Sequence, residues 1–460
     1  MRMTIFVLTS LLTLAACSDK DGGKDKDDET DTSEPDTTEP VDLIPFYADP
    51  PKNLLFISID TYRRDYMDRY GAAGGAGLTT FMDNIARQSV ALDDHTSCSA
   101  WTFPSMMCAL NGTTNVDAAF MPKLSKEYRA KAPGGRWTLA KQLQEAGFYT
   151  AFVTTNSWLS ENWLNDQGYT WQENPDVGNA TEAYEYARDH LLANVDIDNE
   201  RWFLHFHIKE PHAAYNPPEK YLDGLDDLPP YEGYDLSVKD EHYDIKGDWN
   251  SLEEDDQELL LAHLLVRYAG EMKYMDDQLA DIWQDLSDQG MLDDTLVVFF
   301  TDHGEEFWEH GVQTHAYNLF REENDTIAFF WRKNVEPQAW KEPTTHIDIP
   351  PTVLKALGLS IPETVVGLPV GDAPADRPIF GEVVANWGVV QSVMVDGLKL
   401  QYRWSNGDKW LNDLKTDPTE QTNLYDADDP RVLELWELLQ PKIDRMGPLS
   451  PEFDEVDPGP

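Results

Sequence analysis

Short, strongly apolar runs recur along this chain, and between them apolar residues return every three or four positions. The runs Asn53-Leu54-Leu55-Phe56-Ile57-Ser58-Ile59, Tyr149-Thr150-Ala151-Phe152-Val153, Arg201-Trp202-Phe203-Leu204-His205-Phe206-His207 and Thr295-Leu296-Val297-Val298-Phe299-Phe300 lack a polar face and read as strands buried on both sides. Helical spacing is predicted over 79–89, 138–146, 182–194 and, longest, 259–286. Strand and helix alternate, which predicts an α/β fold over 49–376: a doubly wound, mainly parallel sheet flanked by helices. From about 377 the texture changes to short strands separated by Asp396-Gly397 and Asn406-Gly407 turns. This predicts a small C-terminal antiparallel sheet plus one helix at about 430–445, within a subdomain spanning 377–447, followed by an acidic tail at 448–460. Between about 218 and 255 an acidic, Tyr- and Pro-rich insertion reads as a substrate lid or a disordered loop.

The 460 residues allow one large α/β domain with an appendage. A formal charge of -48, from 84 acidic against 36 basic residues, repels phosphate backbones and excludes nucleic acid as a partner. The same field opposes anionic substrates, so any anion chemistry must rest on a local cation such as a bound metal. At the start, Met1-Arg2 precedes an apolar stretch from Thr4 to Ala15 that is too short to span a membrane. Its closing Leu14-Ala15-Ala16-Cys17 resembles a bacterial lipoprotein signal. That resemblance implies a signal peptide at 1–16, a lipid anchor on Cys17 and, with Ser18 next, an exported protein held at the outer membrane on its periplasmic or surface side. Residues 17–48 are too polar to form a core and are expected to be a disordered acidic tether. Cys98 and Cys108 are either a local disulfide or two packed free thiols.

Two of the apolar strands end in acids. Asn53–Ile59 runs into Asp60-Thr61, and Thr295–Phe300 runs into Thr301-Asp302-His303-Gly304. Ligand sites of open α/β sheets lie beyond the carboxyl ends of the strands, so carboxylates and an imidazole converge where a metal would sit. In Thr102-Phe103-Pro104-Ser105 a hydroxyl precedes a Pro suited to a helix's first turn, which would set Thr102 at the positive end of a helix or make it an ordinary N-cap.

Six stretches carry a resemblance over almost all of 50–427. They are NLLFISIDTYRRDYMDRYG at 53–71, CSAWTFPSMMCALNGT at 98–113, HFHIKEPHAAYNPP at 205–218, YAGEMKYMDDQLADIW with LDDTLVVFFTDHGEEFWEHG at 268–311, HIDIPPTVLKALGL at 346–359 and WLNDLKTDPTEQTNL at 410–424. In this order they resemble the sulfatase family of the alkaline-phosphatase-like superfamily. The resemblance implies that Asp60, Asp302 and His303 are metal ligands, joined by Thr102 at the nucleophile position. It implies that His212 stabilises or protonates the leaving oxygen and that His315 lies near a second cation contacting the transferring group. His207, Lys209 and Asn156 are expected to line the substrate pocket. His205, His310 and His346 are expected to be packed or solvated rather than catalytic.

The departures from the family pattern bear on mechanism. Sulfatases present Cys or Ser, oxidised to formylglycine, followed one residue later by Pro, Ser and Arg; here the positions are Thr102 and Met106, and Thr cannot be converted. The second of the usual adjacent carboxylates is Thr61, and the Lys and His that grip sulfate are replaced near Asn156 and Trp158. A formylglycine hydrate expels sulfate by collapsing to the aldehyde, whereas a Thr ester must be cleaved by water or passed to an acceptor alcohol. The expected activity is therefore a metal-dependent hydrolase or transferase of phosphate or sulfate esters with Thr102 as nucleophile. Zinc or manganese suits the imidazole ligand better than calcium, which other oxygens would have to complete. Two alternatives stand beside it: a sulfuric ester hydrolase using metal-bound water, and a non-catalytic surface lipoprotein binding glycan or metal. The 15 Trp, with Trp101, Trp158, Trp163, Trp308 and Trp387 as cleft candidates, suit sugar stacking, although core packing is their commoner use. Glycan, lipid head group and cell-wall polymer all remain open as the substrate's non-reacting part.

Overall fold

The computed structural model describes residues 44–118, 136–160, 168–222, 224, 227–385 and 388–446. The expected signal peptide, Cys17, most of the tether, Trp163, Trp387 and the acidic tail lie outside the described residues. Twelve strands organise the fold among those residues: β1 Asn53–Ile59, β2 Val90–Leu92, β3 Phe148–Thr154, β4 Trp171–Glu173, β5 Arg201–Ile208, β6 Thr295–Thr301, β7 Ala328–Trp331, β8 Gln338–Trp340, then β9 Ile379–Ala385, β10 Gly388–Val395, β11 Leu398–Arg403 and β12 Lys409–Asp413, besides a few two-residue strands. The principal helices are α1 Thr80–Arg87, α2 Thr102–Asn111, α3 Leu139–Glu145, α4 Ala180–Asn194, α5 Lys239–Asp248, α6 Glu254–Asp288, α7 Ile349–Ala356 and α8 Pro430–Met446.

The first eight strands form one sheet in the order β8-β2-β7-β6-β1-β5-β3-β4. Its pairings are parallel except for those of β7, which runs against β6 and β2. The central strands are buried throughout because helices cover both faces, which is why the runs carry no polar alternation. Leu55, Ile57 and Ile59 pack with residues of α1, α4 and α6, while Leu54 and Phe56 pack with residues of α2, α3 and α7. The expected doubly wound, mainly parallel architecture is the observed one.

β9 to β12 form a separate antiparallel sheet in sequential order, and Val432, Leu435, Trp436 and Leu439 of α8 close its core. The β10–β11 turn uses Asp396 and Gly397, both at positive φ (50° and 77°), as the tight hairpin requires.

Two expectations are corrected. Ordered packing begins by residue 44, inside the supposed tether: Ile44 and Phe46 are buried, and Phe46 stacks on Phe330 with ring centroids 5.2 Å apart. The described part of the 218–255 insertion is not a loose loop. It contains α5, buries Leu236, His242 and Ile245, and stacks Trp249 on Trp308 at 3.6 Å, because its aromatic and aliphatic residues join the core cluster of the main sheet.

Candidate active site at the carboxyl edge of the sheet

Register brings the chemistry together. Ile59 of β1 pairs with Ile208 of β5 and Thr301 of β6, so Asp60 and Asp302 leave adjacent strands at the same level. His207 of β5 lies beside Ser58 of β1 and Thr154 of β3, with Asn156 just past the end of β3. Four neighbouring strand ends thus deliver Asp60, Asn156, His207, Asp302 and His303 to one point, and all are buried.

Asp60 is the hub. Its Oδ2 accepts from Asn156 Nδ2 at 2.5 Å and lies 3.7 Å from His207 Nε2, while its Oδ1 lies 3.6 Å from His303 Nε2. Asp302 Oδ2 is also 3.6 Å from His303 Nε2, and its Oδ1 accepts from the backbone N–H groups of His303 (2.7 Å) and Thr61 (3.2 Å). Asp60 Oδ1, Asp302 Oδ2 and His207 Nε2 are buried without a hydrogen-bond partner among the described residues. One donor atom each from Asp60, His207 and Asp302 lies within 4.8 Å of the others. Buried carboxylates need compensation, and orphaned oxygens facing an imidazole nitrogen are what a divalent cation would complete. The donor set of carboxylates and imidazoles suits a transition metal better than an all-oxygen shell would.

Each imidazole is oriented from behind. His303 Nδ1 donates to Gly304 O (2.8 Å), turning the Nε2 lone pair toward both carboxylates, and His207 Nδ1 pairs with Ser58 Oγ (2.8 Å). Gly304 is required because a Cβ there would stand 1.9 Å from Glu322 O. Burial and neighbouring His315 hold His303 down to about 3, so it is neutral and ready to ligate. Burial opposes ionisation of Asp60, yet His212, His207 and His303 outweigh it and keep that carboxyl below its ordinary value. Burial and the Asp60 charge raise Asp302. Thr61, already noted as a departure from the usual pair of adjacent carboxylates, is a buried β-branched residue held at φ 51°, a strained setting of the kind that clusters at functional sites.

Thr102 is the first residue of α2, with Trp101 rather than Thr102 in the N-cap position. Its Oγ1 lies 3.4 Å from His303 Nε2 and 3.5 Å from Asn156 Nδ2, so the hydroxyl faces the metal-ligand cluster from the helix's positive end. A disulfide between Cys98 and Cys108 ties this helix to the chain before it. On the other side, His212 Nδ1 donates to Ala213 O (2.8 Å), leaving Nε2 to face the site, and burial lowers its pKa. His315 Nδ1 pairs with Glu305 Oε1 (2.9 Å), whose Oε2 accepts from Tyr215 OH (3.0 Å). The His315 ring lies 4.4 Å from that of His303 and 5.3 Å from that of His212.

Every described candidate except Lys209 therefore reaches one centre, and Lys209 lines an adjoining cavity with His212. His207, expected to line the pocket, is in addition a candidate ligand, because register across β1 and β5 sets it beside Asp60. Glu305 and Ser58 were missed: each supports an imidazole from behind, and only the pairing geometry exposes that role. His205, His310 and His346 are packed, bonded to Ser58 and Tyr169, to Glu322, and to Ser105 respectively. Trp101 is buried with its indole N–H on Val384 O, and Trp308 is covered by Trp249, so neither is an open sugar platform.

A mainly parallel sheet with a carboxylate–imidazole metal site at its carboxyl edge and a hydroxyl at a helix start defines a hydrolase-type centre. The chain belongs to the Sulfatase family, which it matches over residues 52–359. It is 25% identical to an arylsulfatase of Clostridium perfringens over 64% of this chain and 62% of that protein, so the match spans about three fifths of that relative's length. It is 23% identical to an N-acetylglucosamine-6-O-sulfatase of Bacteroides thetaiotaomicron over 81% and 82% of the two chains. Among solved structures, a phosphonate monoester hydrolase of Silicibacter pomeroyi superposes with a TM-score of 0.65 at 18% identity, covering 86% of this chain and 95% of that one.

Proposed function

We propose that the protein is a metal-dependent hydrolase or transferase of phosphate or sulfate esters in which Thr102 is the nucleophile. The observation that carries this reading is the Thr102 hydroxyl 3.4 Å from His303 Nε2, beside Asp60 and Asp302 oxygens that have no partner of their own. Asp60, Asp302 and His303 would hold the cation, with His207 as a further donor. A divalent cation bound there supplies Lewis acidity that activates a hydroxyl and polarises the ester. Asn156 orients Asp60 and the Thr102 oxygen together through one amide group. In the first step Thr102, its hydroxyl proton already released to solvent, bonds through Oγ1 to the phosphorus or sulfur while the bond to the leaving oxygen breaks, and that oxygen takes a proton from His212 in its imidazolium form; cleavage of the Thr ester then returns Thr102 to its deprotonated state. Because Ala213 O can only accept, the proton of neutral His212 resides on Nδ1. Neutral Nε2 then takes a proton from the water or acceptor alcohol that cleaves the Thr ester, and the two steps use opposite states of one imidazole. His315, backed by Glu305, contacts the transferring group.

The sulfatases among its relatives support a second reading, sulfate-ester hydrolysis by water activated at the metal, with Thr102 positioning that water. Paired aryl sulfate, phosphate monoester and phosphodiester substrates, assayed with zinc, manganese or calcium, separate the two. Loss of turnover in Thr102→Ala by about 10³-fold or more, with bound metal retained, is the expected result. Sulfate turnover that survives the substitution selects the water mechanism, and no turnover with any metal selects a binding protein. The Leu14-Ala15-Ala16-Cys17 box supports export and lipid anchoring at the outer membrane. Metabolic labelling with palmitate, lost in Cys17→Ala, tests it.

A further inference from the structure

One surface outside the catalytic centre joins exposed apolar side chains to a local excess of positive charge. Val366, in the loop after α7, is 48% exposed, and Leu438 of α8 is 40% exposed. Both share the wall of one cavity with Trp137, Arg136, Lys442 and Arg445. Ile361 and Leu368 of the same loop are exposed as well. Asp117 and Glu363 are the carboxylates of that wall, so three cations face two acids in a chain whose net charge is -48. Asp117 pairs with both Lys442 and Arg445 and holds the two cations side by side. Asn111, the last residue of α2, also lines the wall, which puts this surface at the opposite end of that helix from Thr102.

Exposed aliphatic clusters rimmed by charge mark contact surfaces. The chemistry of this one fits a lipid bilayer. Apolar side chains enter the boundary between headgroups and acyl chains, an indole sits at headgroup level, and Arg and Lys face the phosphates. The overall negative charge does not prevent this. At physiological ionic strength screening acts over about 8 Å, so a bilayer responds to the cations that touch it rather than to acids on other faces. The chain also enters the fold here. Ile44, the first described residue after Cys17, shares a core cluster with Val370, and Tyr47 OH donates to Val370 O at 3.0 Å. A tether anchored at Cys17 therefore draws this loop toward the membrane. We propose that the face formed by Val366, Leu438 and their Arg and Lys collar docks on the bilayer that carries the anchor. Docking rests on the lipid-anchoring reading above and adds which side of the protein meets lipid, leaving Thr102 at the far end of α2.

The test uses the chain from Ser18 onward, which carries no lipid yet contains every described element. A short tether holds its domain at a millimolar effective concentration, so vesicles of equimolar phosphatidylethanolamine and phosphatidylglycerol are supplied at millimolar lipid. Wild type should sediment with them. Its partition coefficient should fall at least about tenfold in Val366→Asp/Leu438→Glu and about fivefold in Arg445→Gln. Leu433→Glu, at an α8 leucine that is 42% exposed but outside the cavity wall, should bind as wild type does. The substituted side chains already stand partly in water, and matching urea midpoints verify that each variant is folded. Wild type left in the supernatant overturns the proposal, as does binding that neither the double variant nor Arg445→Gln weakens relative to Leu433→Glu. Palmitate labelling of the full chain reports anchoring by itself. Label without vesicle binding removes this face and keeps the anchor, whereas vesicle binding without label supports the face and removes the anchor.

Discussion

Asp302 and Asp348 are both buried carboxylates at element ends, and the protein treats them in opposite ways. Asp348 opens α7 with every lone-pair direction used: Oδ1 accepts from Leu368 N and Arg377 Nη1, both at 2.9 Å, and Oδ2 accepts from Thr345 N at 2.8 Å and from Arg377 Nη2. Asp302 has two backbone donors on Oδ1, none on Oδ2, and a second carboxylate, Asp60, as its neighbour. Burial alone therefore does not mark function. A saturated buried charge holds structure together, whereas an unsaturated one beside a like charge is stabilised by something the chain does not itself provide.

The most severe way to test that contrast is Asp302→Asn. Asn keeps an acceptor for the Thr61 and His303 amides but removes the charge that faces Asp60. Bound divalent metal and turnover should fall together, by at least the ~10–100-fold that follows loss of a residue merely supporting a ligand. In metal-free protein, urea unfolding should find the variant as stable as wild type or more so, because a buried like-charge contact is gone. A metal-free variant clearly less stable than wild type would break the comparison.

Asp348→Ala should do the reverse. It strands the Arg377 guanidinium and two backbone donors, Thr345 N and Leu368 N, costing about 3 kcal/mol in urea unfolding, while the metal content of the folded protein stays at the wild-type level. If metal is lost as well, Asp348 is coupled to the site and the two carboxylates are not separate cases.

How much of this was legible in the sequence follows the same divide. The central strands were read correctly because burial on both faces leaves continuous apolar runs, and Asp60 and Asp302 stood out by ending them. β2, β4 and β8 escaped notice because each spans three residues, too few to establish a period, and only pairing with a neighbour defines them. His207 looked like a pocket residue because register across β1, β3 and β5, which brings its Nε2 to Asp60, is a property of strand pairing rather than of spacing. The packed interior of the 218–255 insertion was hidden by its acidic composition, which masks Leu236, Ile245 and Trp249. Glu210 and Glu271 were named only within longer motifs, since nothing in the sequence says that a turn and a helix share a cavity.

Glu382 of β9 sharpens the contrast from a middle position. It is a buried carboxyl whose Oε1 accepts from Val116 N at 2.9 Å, and it lies outside the metal cluster. Burial raises it from an ordinary 4.5 to about 7, with the Val116 amide and the Lys442 charge opposing the shift. A folded-state value above the unfolded one means that the folded protein holds a proton the unfolded chain has released. Its contribution to stability is therefore complete below pH 4.5 and is lost as pH rises through about 7. Glu382→Gln keeps the acceptor and removes the titration. The variant should match wild type near pH 4.5 and exceed it by on the order of 1–3 kcal/mol at pH 8, read as a difference in urea unfolding so that other titrating groups cancel. Parallel stability profiles across that range would mean that Glu382 is already ionised and compensated in the fold, placing it with Asp348 rather than between the two extremes.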